Sequence, residues 1–348
     1  MQLSMDLIDL RSDTLTRLQP KDLLNINYDY ISDDCYDEDR YVKMLEFKIA
    51  DLFGKESALF MPSGTMSNQI GLNVLSNPGD ELITEAGYHV CFFESSQTSA
   101  LSGLVINNVR SKHGILTTED VLNAINNKAR WSDLYATPKI ISIESSINTY
   151  GGLVFPLDEI CHLKMLCNKK NMHLFLDGAR VLNACIAIGI SPDKYTEHVD
   201  ILNICLSKGI GAPFGSLLVG RKTDIDKAKK VRTWYGGALH QSGLMAAIAL
   251  NKLKDYSARL ENDNMNAQYL GAICSQYCQL THPVETNIVM IKSRNADNLV
   301  KKLKTYGVLA TAWTSNTVRF VTSSNINKEM LTRLKSIFEK IHKYKEFI

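Results

Sequence analysis

The chain lacks a segment long and apolar enough to span a bilayer, lacks any Cys-x-x-Cys pair, and carries no long run of one charge. Each absence removes a class of protein. Without an apolar span, no membrane helix is expected. Met1-Gln2-Leu3-Ser4-Met5-Asp6 has no basic region followed by an apolar stretch, so no secretory leader is expected and the location follows as cytoplasmic. The eight cysteines, at positions 35, 91, 161, 167, 185, 205, 274 and 278, are irregularly spaced. They suit neither a zinc cage nor a redox dithiol and read as reduced, mostly buried thiols. Formal net charge is +2, with cations scattered among acids, which excludes a nucleic-acid stripe and a basic membrane face. Internal repeats and low-complexity tracts are absent as well. The expected partners are therefore a small molecule and further copies of the chain.

What is present is an alternation of helical periodicity with short apolar runs, the mark of an α/β fold with a mainly parallel sheet. Within 348 residues, the pattern predicts an irregular arm over 1–41 that wraps over another part of the molecule, a large domain over 42–255 and a small α+β domain over 256–348. Strands are expected at Ser57–Met61, Glu81–Thr84, Lys139–Ile143, Ile201–Leu206 and Ser216–Val219. Helices are expected at Val42–Leu52, Gly64–Leu75 and Gly243–Leu253. In the small domain, strands are expected at Asn287–Ile291, Leu309–Trp313 and Thr317–Val321, with helices at Asn262–Cys278 and Lys328–Lys343. Thr117 reads as a helix cap.

The most telling stretch is Leu206-Ser207-Lys208-Gly209-Ile210-Gly211-Ala212-Pro213-Phe214-Gly215. It places one lysine between an apolar strand and a glycine-rich turn, at a strand end where open α/β sheets put their ligands. Such a lysine is a candidate Schiff-base former. His173-Leu174-Phe175-Leu176-Asp177-Gly178-Ala179-Arg180 repeats the layout with a carboxylate. A lysine for an aldehyde and an acid for a pyridine nitrogen together suggest pyridoxal 5'-phosphate (PLP). Pro62-Ser63-Gly64-Thr65 supplies small residues at a strand-to-helix turn, where Ser63, Gly64 and Thr65 could hold a phosphate; the same turn could equally be an ordinary helix cap. His89 could stack on a cofactor ring, although an isolated histidine is more often structural.

These segments carry a family resemblance. Leu10-Arg11-Ser12-Asp13-Thr14, Pro62-Ser63-Gly64-Thr65-Met66, Gly151-Gly152, Asp177-Gly178-Ala179-Arg180, Leu206-Ser207-Lys208-Gly209 and Val318-Arg319-Phe320-Val321-Thr322 follow the order and spacing of low-specificity L-threonine aldolases. The resemblance, over about residues 8 to 325, implies a fold-type-I PLP enzyme of the aspartate aminotransferase-like class. Such enzymes are usually homotetramers whose sites borrow residues from a neighbouring chain. It implies Lys208 as the Schiff-base lysine, Asp177 as the pyridine partner, His89 as the stacking ring, and Ser63, Gly64 and Thr65 at the phosphate. It further places Ser12, Arg180 and Arg319 near a substrate carboxylate, with Arg180 also near the cofactor. It also implies that Tyr36 and Glu38 belong to an acidic segment lying over the site, with Tyr36 at the substrate.

The match is incomplete around the substrate side chain. The family's histidine upstream of Glu-Asn-Thr-His-Asn has no counterpart in Asp133-Leu134-Tyr135-Ala136-Thr137-Pro138, and that motif reads Glu144-Ser145-Ser146-Ile147-Asn148. A lysine is replaced by Thr233 and an arginine by His240. Tyr135 and His240 are the candidate substitutes. The expected activity is retro-aldol cleavage of a β-hydroxy-α-amino acid to glycine and an aldehyde. A racemase or other Cα transformation on the same fold, and a catalytically silent binding or assembly protein, are the alternatives. No metal is expected.

Overall fold

A computed structural model describes residues 7–128 and 134–343. Its twelve strands run β1 Ile8–Asp9, β2 Ser57–Met61, β3 Glu81–Glu85, β4 Val105–Val109, β5 Pro138–Glu144, β6 His173–Asp177, β7 Ile201–Cys205, β8 Ser216–Gly220, β9 Ile288–Lys292, β10 Val308–Leu309, β11 Thr311–Thr314 and β12 Thr317–Val321. Seven form one sheet in the order β2-β8-β7-β6-β5-β3-β4, in which only β8 runs against its neighbours. Helices cover both faces of this sheet, so strands such as Leu174-Phe175-Leu176 and Leu217-Leu218-Val219 are apolar without alternation. The fold is α/β, with β9, β11 and β12 forming a separate antiparallel sheet.

Local chemistry explains where the helices begin. Asp39 caps Arg40–Leu52 by accepting from the Val42 amide, Ser63 caps Gly64–Val74 through the Met66 amide, and Thr117 forms a reciprocal box with Asp120. The Gly64–Val74 helix lies unusually close to the sheet. A Cβ on Gly71 would come within 2.5 Å of the Phe175 ring, and one on Gly64 within 2.6 Å of Cys205 Sγ. Glycine at both positions lets the helix start press against the ends of the central strands.

The core has three main parts. Leu45, Ile49, Ile143, Leu176 and Leu217 pack on one face of the large sheet, while Leu59, Ile70, Leu82 and Phe175 pack on the other. Each such side chain contributes about 1.5–3 kcal/mol when taken from water. A third cluster joins Leu270, Val289, Phe320, Leu334 and Phe338 with Ile8 and Leu10. The arm is thus built into the far end of the chain: β1 pairs in parallel with β10, and Leu10 exchanges backbone bonds with Leu309 and Val321.

Some elements differ from expectation. The helix expected at Asn262–Cys278 spans Tyr256–Cys274, and the strand expected at Leu309–Trp313 divides into β10 and β11 at Ala310. Edge strand β4 and the helix Ala296–Thr305 were not expected; Val105-Ile106-Asn107-Asn108-Val109 is too polar to read as a buried run. All eight cysteines are free thiols. Among the described residues, no helix is long and apolar enough to cross a membrane. The leader reading of Met1–Asp6 and the Asp133 position lie outside the described residues.

Candidate active site

The carboxyl ends of β3, β5, β6 and β7 open onto one cleft, because four successive parallel strands finish along the same edge of the sheet. Asp177 ends β6, and Lys208 stands three residues beyond the end of β7. The cleft has two connected parts, of about 160 Å³ and about 290 Å³, that share His89, Asp177, Ala179 and Lys208. The smaller part is bounded by Ser63, Gly64 and Thr65. The larger is bounded by Ser12, Arg180 and Arg319. The Lys208 amine makes no hydrogen bond or ion pair among the described residues, which leaves it available to a ligand.

Asp177 is surrounded by donors. Its Oδ2 accepts from Asn68 at 2.9 Å, and its Oδ1 accepts from the Ala179 amide at 3.1 Å and from Asn203 at 3.3 Å. Asn68 also donates to Glu94 Oε1 at 3.0 Å, and that oxygen lies 2.6 Å from His89 Nδ1. Gln69 holds the other Glu94 oxygen at 2.7 Å. With Nδ1 committed to a buried carboxylate, His89 has Nε2 left for the cleft. Burial would lower the His89 pKa, but the bond to Glu94 and the charge of Asp177 outweigh it, and the net shift is upward.

At the other wall, Arg180 donates from Nε and Nη2 to the two oxygens of Asp13, both at 2.7 Å, and both residues are buried. Burial alone would raise the Asp13 pKa; Arg180, Lys208 and Asn287 overcome it and hold the carboxyl at about 2. The Arg180 fork is therefore engaged inside the protein. Arg319 is not held in this way: Nη1 donates to Asn148 at 2.9 Å, Nη2 donates to the Arg11 carbonyl at 3.2 Å, and buried Nε has no partner. Burial and the nearby Arg180 charge lower its pKa to about 10. Two neighbouring cations on one wall make that side of the cleft favourable to an anion.

The cleft also holds Glu144, which sequence reasoning passed over. It ends β5 in register with Asp177, accepts from the His89 amide at 2.6 Å and the Asn148 amide at 2.7 Å, and is raised to about 7 by burial and by the Asp177 charge. Asp13 and Glu94 were likewise missed. The acid at the end of an apolar strand was a usable signal for Glu144; nothing local marked Glu94.

Lys208, Asp177, His89, Ser12, Arg180, Arg319, Ser63, Gly64 and Thr65 are brought together. Tyr36 is not: it is 76% exposed, lines neither part of the cleft, and belongs to a turn tied to the 232–240 segment by the Asp34–Arg232 ion pair. The two substitutes for the family histidine also lie elsewhere. Tyr135 sits by Lys128, which pairs with Glu81 at the start of β3, so it occupies the opposite end of the sheet. His240 is largely exposed and pairs with Asp33 at 2.9 Å.

Residues 9–296 match the beta-eliminating lyase family. The chain is 33% identical to the low specificity L-threonine aldolase of Escherichia coli (strain K12), over 94% of this chain and 97% of that one. It is 36% identical to the low-specificity L-threonine aldolase of Candida albicans, over 81% of this chain and 76% of that one. The threonine aldolase structure from Leishmania major superposes with a TM-score of 0.84 at 18% identity, covering 96% of this chain and 99% of the other.

Proposed function

The chain belongs to the beta-eliminating lyase family, and from that premise we propose that it is a PLP-dependent lyase cleaving threonine-type β-hydroxy-α-amino acids to glycine and an aldehyde. The observation that carries this reading is the convergence of Lys208, Asp177 and Arg319 on one cleft.

The residues fit the cofactor. Lys208 would hold its aldehyde carbon, Asp177 its ring nitrogen and His89 a face of its ring. The first amides of the Gly64–Val74 helix, which have no partner within the helix, would take its phosphate with Ser63 and Thr65. Bound there, PLP supplies an electron sink for the pair released at the substrate Cα.

The protein's own contribution is orientation and proton handling. Arg319, which lines the larger part of the cleft, binds the substrate carboxylate, while Arg180 is kept rigid by Asp13 and adds positive potential. Fixing the carboxylate fixes which bond at Cα stands ready to break. Cleavage also requires removal of the β-hydroxyl proton. Tyr135 and His240 lie away from the cleft, so His89 is the group we assign to that proton, through Nε2. Glu94 orients the ring and stabilises its charged form.

We further read the protein as a homo-oligomer. The exposed rings of Tyr36 and Trp234 support this, and Tyr36 and Glu38 would then serve a neighbouring copy. The division into an arm, a large domain and a small domain remains our reading, supported by the separate core around Phe320 and Phe338.

Incubating the holoprotein with L-threonine and L-allo-threonine tests the function. Glycine and acetaldehyde should form in equal amounts. PLP bound at Lys208 without glycine production would reject the assignment.

A further inference from the structure

Away from the cleft, three side chains with metal-binding chemistry meet at the surface. The Asp33 carboxylate, the Cys35 thiol and the His240 imidazole each offer one ligand atom, and these atoms all lie within 4.8 Å of one another, the one such group among the described residues. Two segments bring them together: the turn around Asp34–Tyr36 in the arm, and the stretch that follows the helix Lys222–Trp234. Asp33 and His240 are 207 positions apart, so no local spacing marks the group. The frame beneath it is well anchored. Asp34, between the two ligands of the arm, turns inward: its amide donates to the His240 carbonyl at 2.7 Å, and its carboxylate pairs with buried Arg232 at 2.9 Å. Arg232 in turn donates to the Phe60 carbonyl on β2 at 2.8 Å. Both ligand-bearing segments are thus tied to each other and to the large sheet. Asp33 Oδ1 accepts from the Cys35 amide at 2.7 Å, which orients the carboxylate and places Oδ2 2.9 Å from His240 Nδ1.

From this arrangement we propose that Asp33, Cys35 and His240 form a binding site for a zinc-type divalent ion, which clamps the arm turn to the 235–240 segment. The inference is independent of the reaction assigned above. A thiolate, an imidazole and a carboxylate are donors that zinc accepts, whereas magnesium and calcium take oxygen ligands. A tetrahedral ion with bonds of about 2.0–2.3 Å keeps its ligand atoms roughly 3.3–3.8 Å apart. The three donors reach that spacing through small turns of their side chains, two of them exposed, on a backbone already fixed. Cys35 is the exposed thiol of the eight, the others being buried or half-buried, so it is the one within reach of an ion arriving from solvent. The His240 side chain is 76% exposed, which leaves the fourth position of the ion open to water. Binding releases the Cys35 thiol proton to solvent and leaves the imidazole proton of His240 on Nε2.

The test titrates cobalt(II) into the reduced, chelator-treated holoprotein and records the difference spectrum against the same protein without metal. A thiolate-to-cobalt charge-transfer band should appear, and zinc should displace it. Cys35→Ser should abolish the band, while Cys161→Ser, at a half-buried thiol elsewhere on the surface, should retain it. Zinc binding followed by calorimetry should weaken by roughly 10- to 100-fold or more in Asp33→Asn and in His240→Ala. Absence of the band in the wild-type protein would overturn the proposal. So would a band that survives in Cys35→Ser, because the thiol would then belong to another site, or a zinc affinity that neither Asp33→Asn nor His240→Ala lowers.

Discussion

Arg180 and Asp13 form a two-pronged ion pair, Nε and Nη2 each 2.7 Å from a carboxylate oxygen, with both partners buried beside the cleft. The relationship separates two arginines that look equivalent in sequence. Arg180 is held by a buried carboxylate, and Arg319 is held only by Asn148 and the Arg11 carbonyl.

Removing the Asp13 charge strands a buried guanidinium. Asp13→Asn should destabilise the fold by about 3–5 kcal/mol at neutral pH, measured by denaturant unfolding. Because the folded pKa is about 2, below the ordinary carboxylate value, the pair's contribution is complete above about pH 4 and is lost as pH falls toward 2. The penalty of the variant should shrink over that interval. An Asp13→Asn protein as stable as wild type would sink the assignment.

Arg319→Lys keeps a cation but loses the planar fork. KM for the amino acid should rise by roughly 10- to 100-fold with kcat affected less, since the interaction is present in ground and transition states alike. Steady-state kinetics would expose an error here as an unchanged KM.

Glu94→Gln removes the carboxylate that keeps the His89 pKa up. Burial then acts with less opposition, so the His89 titration, followed by NMR, should move to lower pH. The acid limb of the kcat/KM profile should move in the same direction. If the histidine signal stays put, Glu94 is not its partner in solution.

Asp263, buried on the helix Tyr256–Cys274, has both oxygens unpaired, and burial with the nearby Asp13 charge raises its pKa to about 7. An acid whose folded pKa is raised favours its neutral form in the native state. The fold therefore loses stability as pH rises from about 4 to about 7. Asp263→Asn should remove this loss, stabilising the protein at pH 8 by about 1–4 kcal/mol while changing little near pH 4. Thermal unfolding at the two pH values decides the matter.

The candidate site was legible in sequence where a chemistry-bearing side chain sat at the end of an apolar run. Lys208 and Asp177 were read that way, and both line one cleft because a parallel sheet delivers its strand ends to one edge. The terminal helix Lys328–Lys343 was legible because Leu331, Leu334, Phe338 and Ile341 repeat at helical spacing and all are buried. The supporting polar residues were not legible. Asp13 meets Arg180 across 167 positions and Asn287 across 274, and neither separation leaves a local pattern. Glu94 was hidden for a different reason: it precedes an ordinary polar helix, and its meaning comes only from the proximity of Asn68, Gln69 and His89. The resemblance placed Arg180 and Arg319 together, and nothing in the sequence marked that the buried Asp13 engages only one of them.

The pairing of Ile8–Asp9 with Val308–Leu309, and of Leu10 with Val321, sets a timetable for biosynthesis. Residues 8–10 must wait for partners made only after residue 306 before they can settle. Ser12 follows directly on that strand, so its wall of the cleft is assembled only once the small sheet has been made.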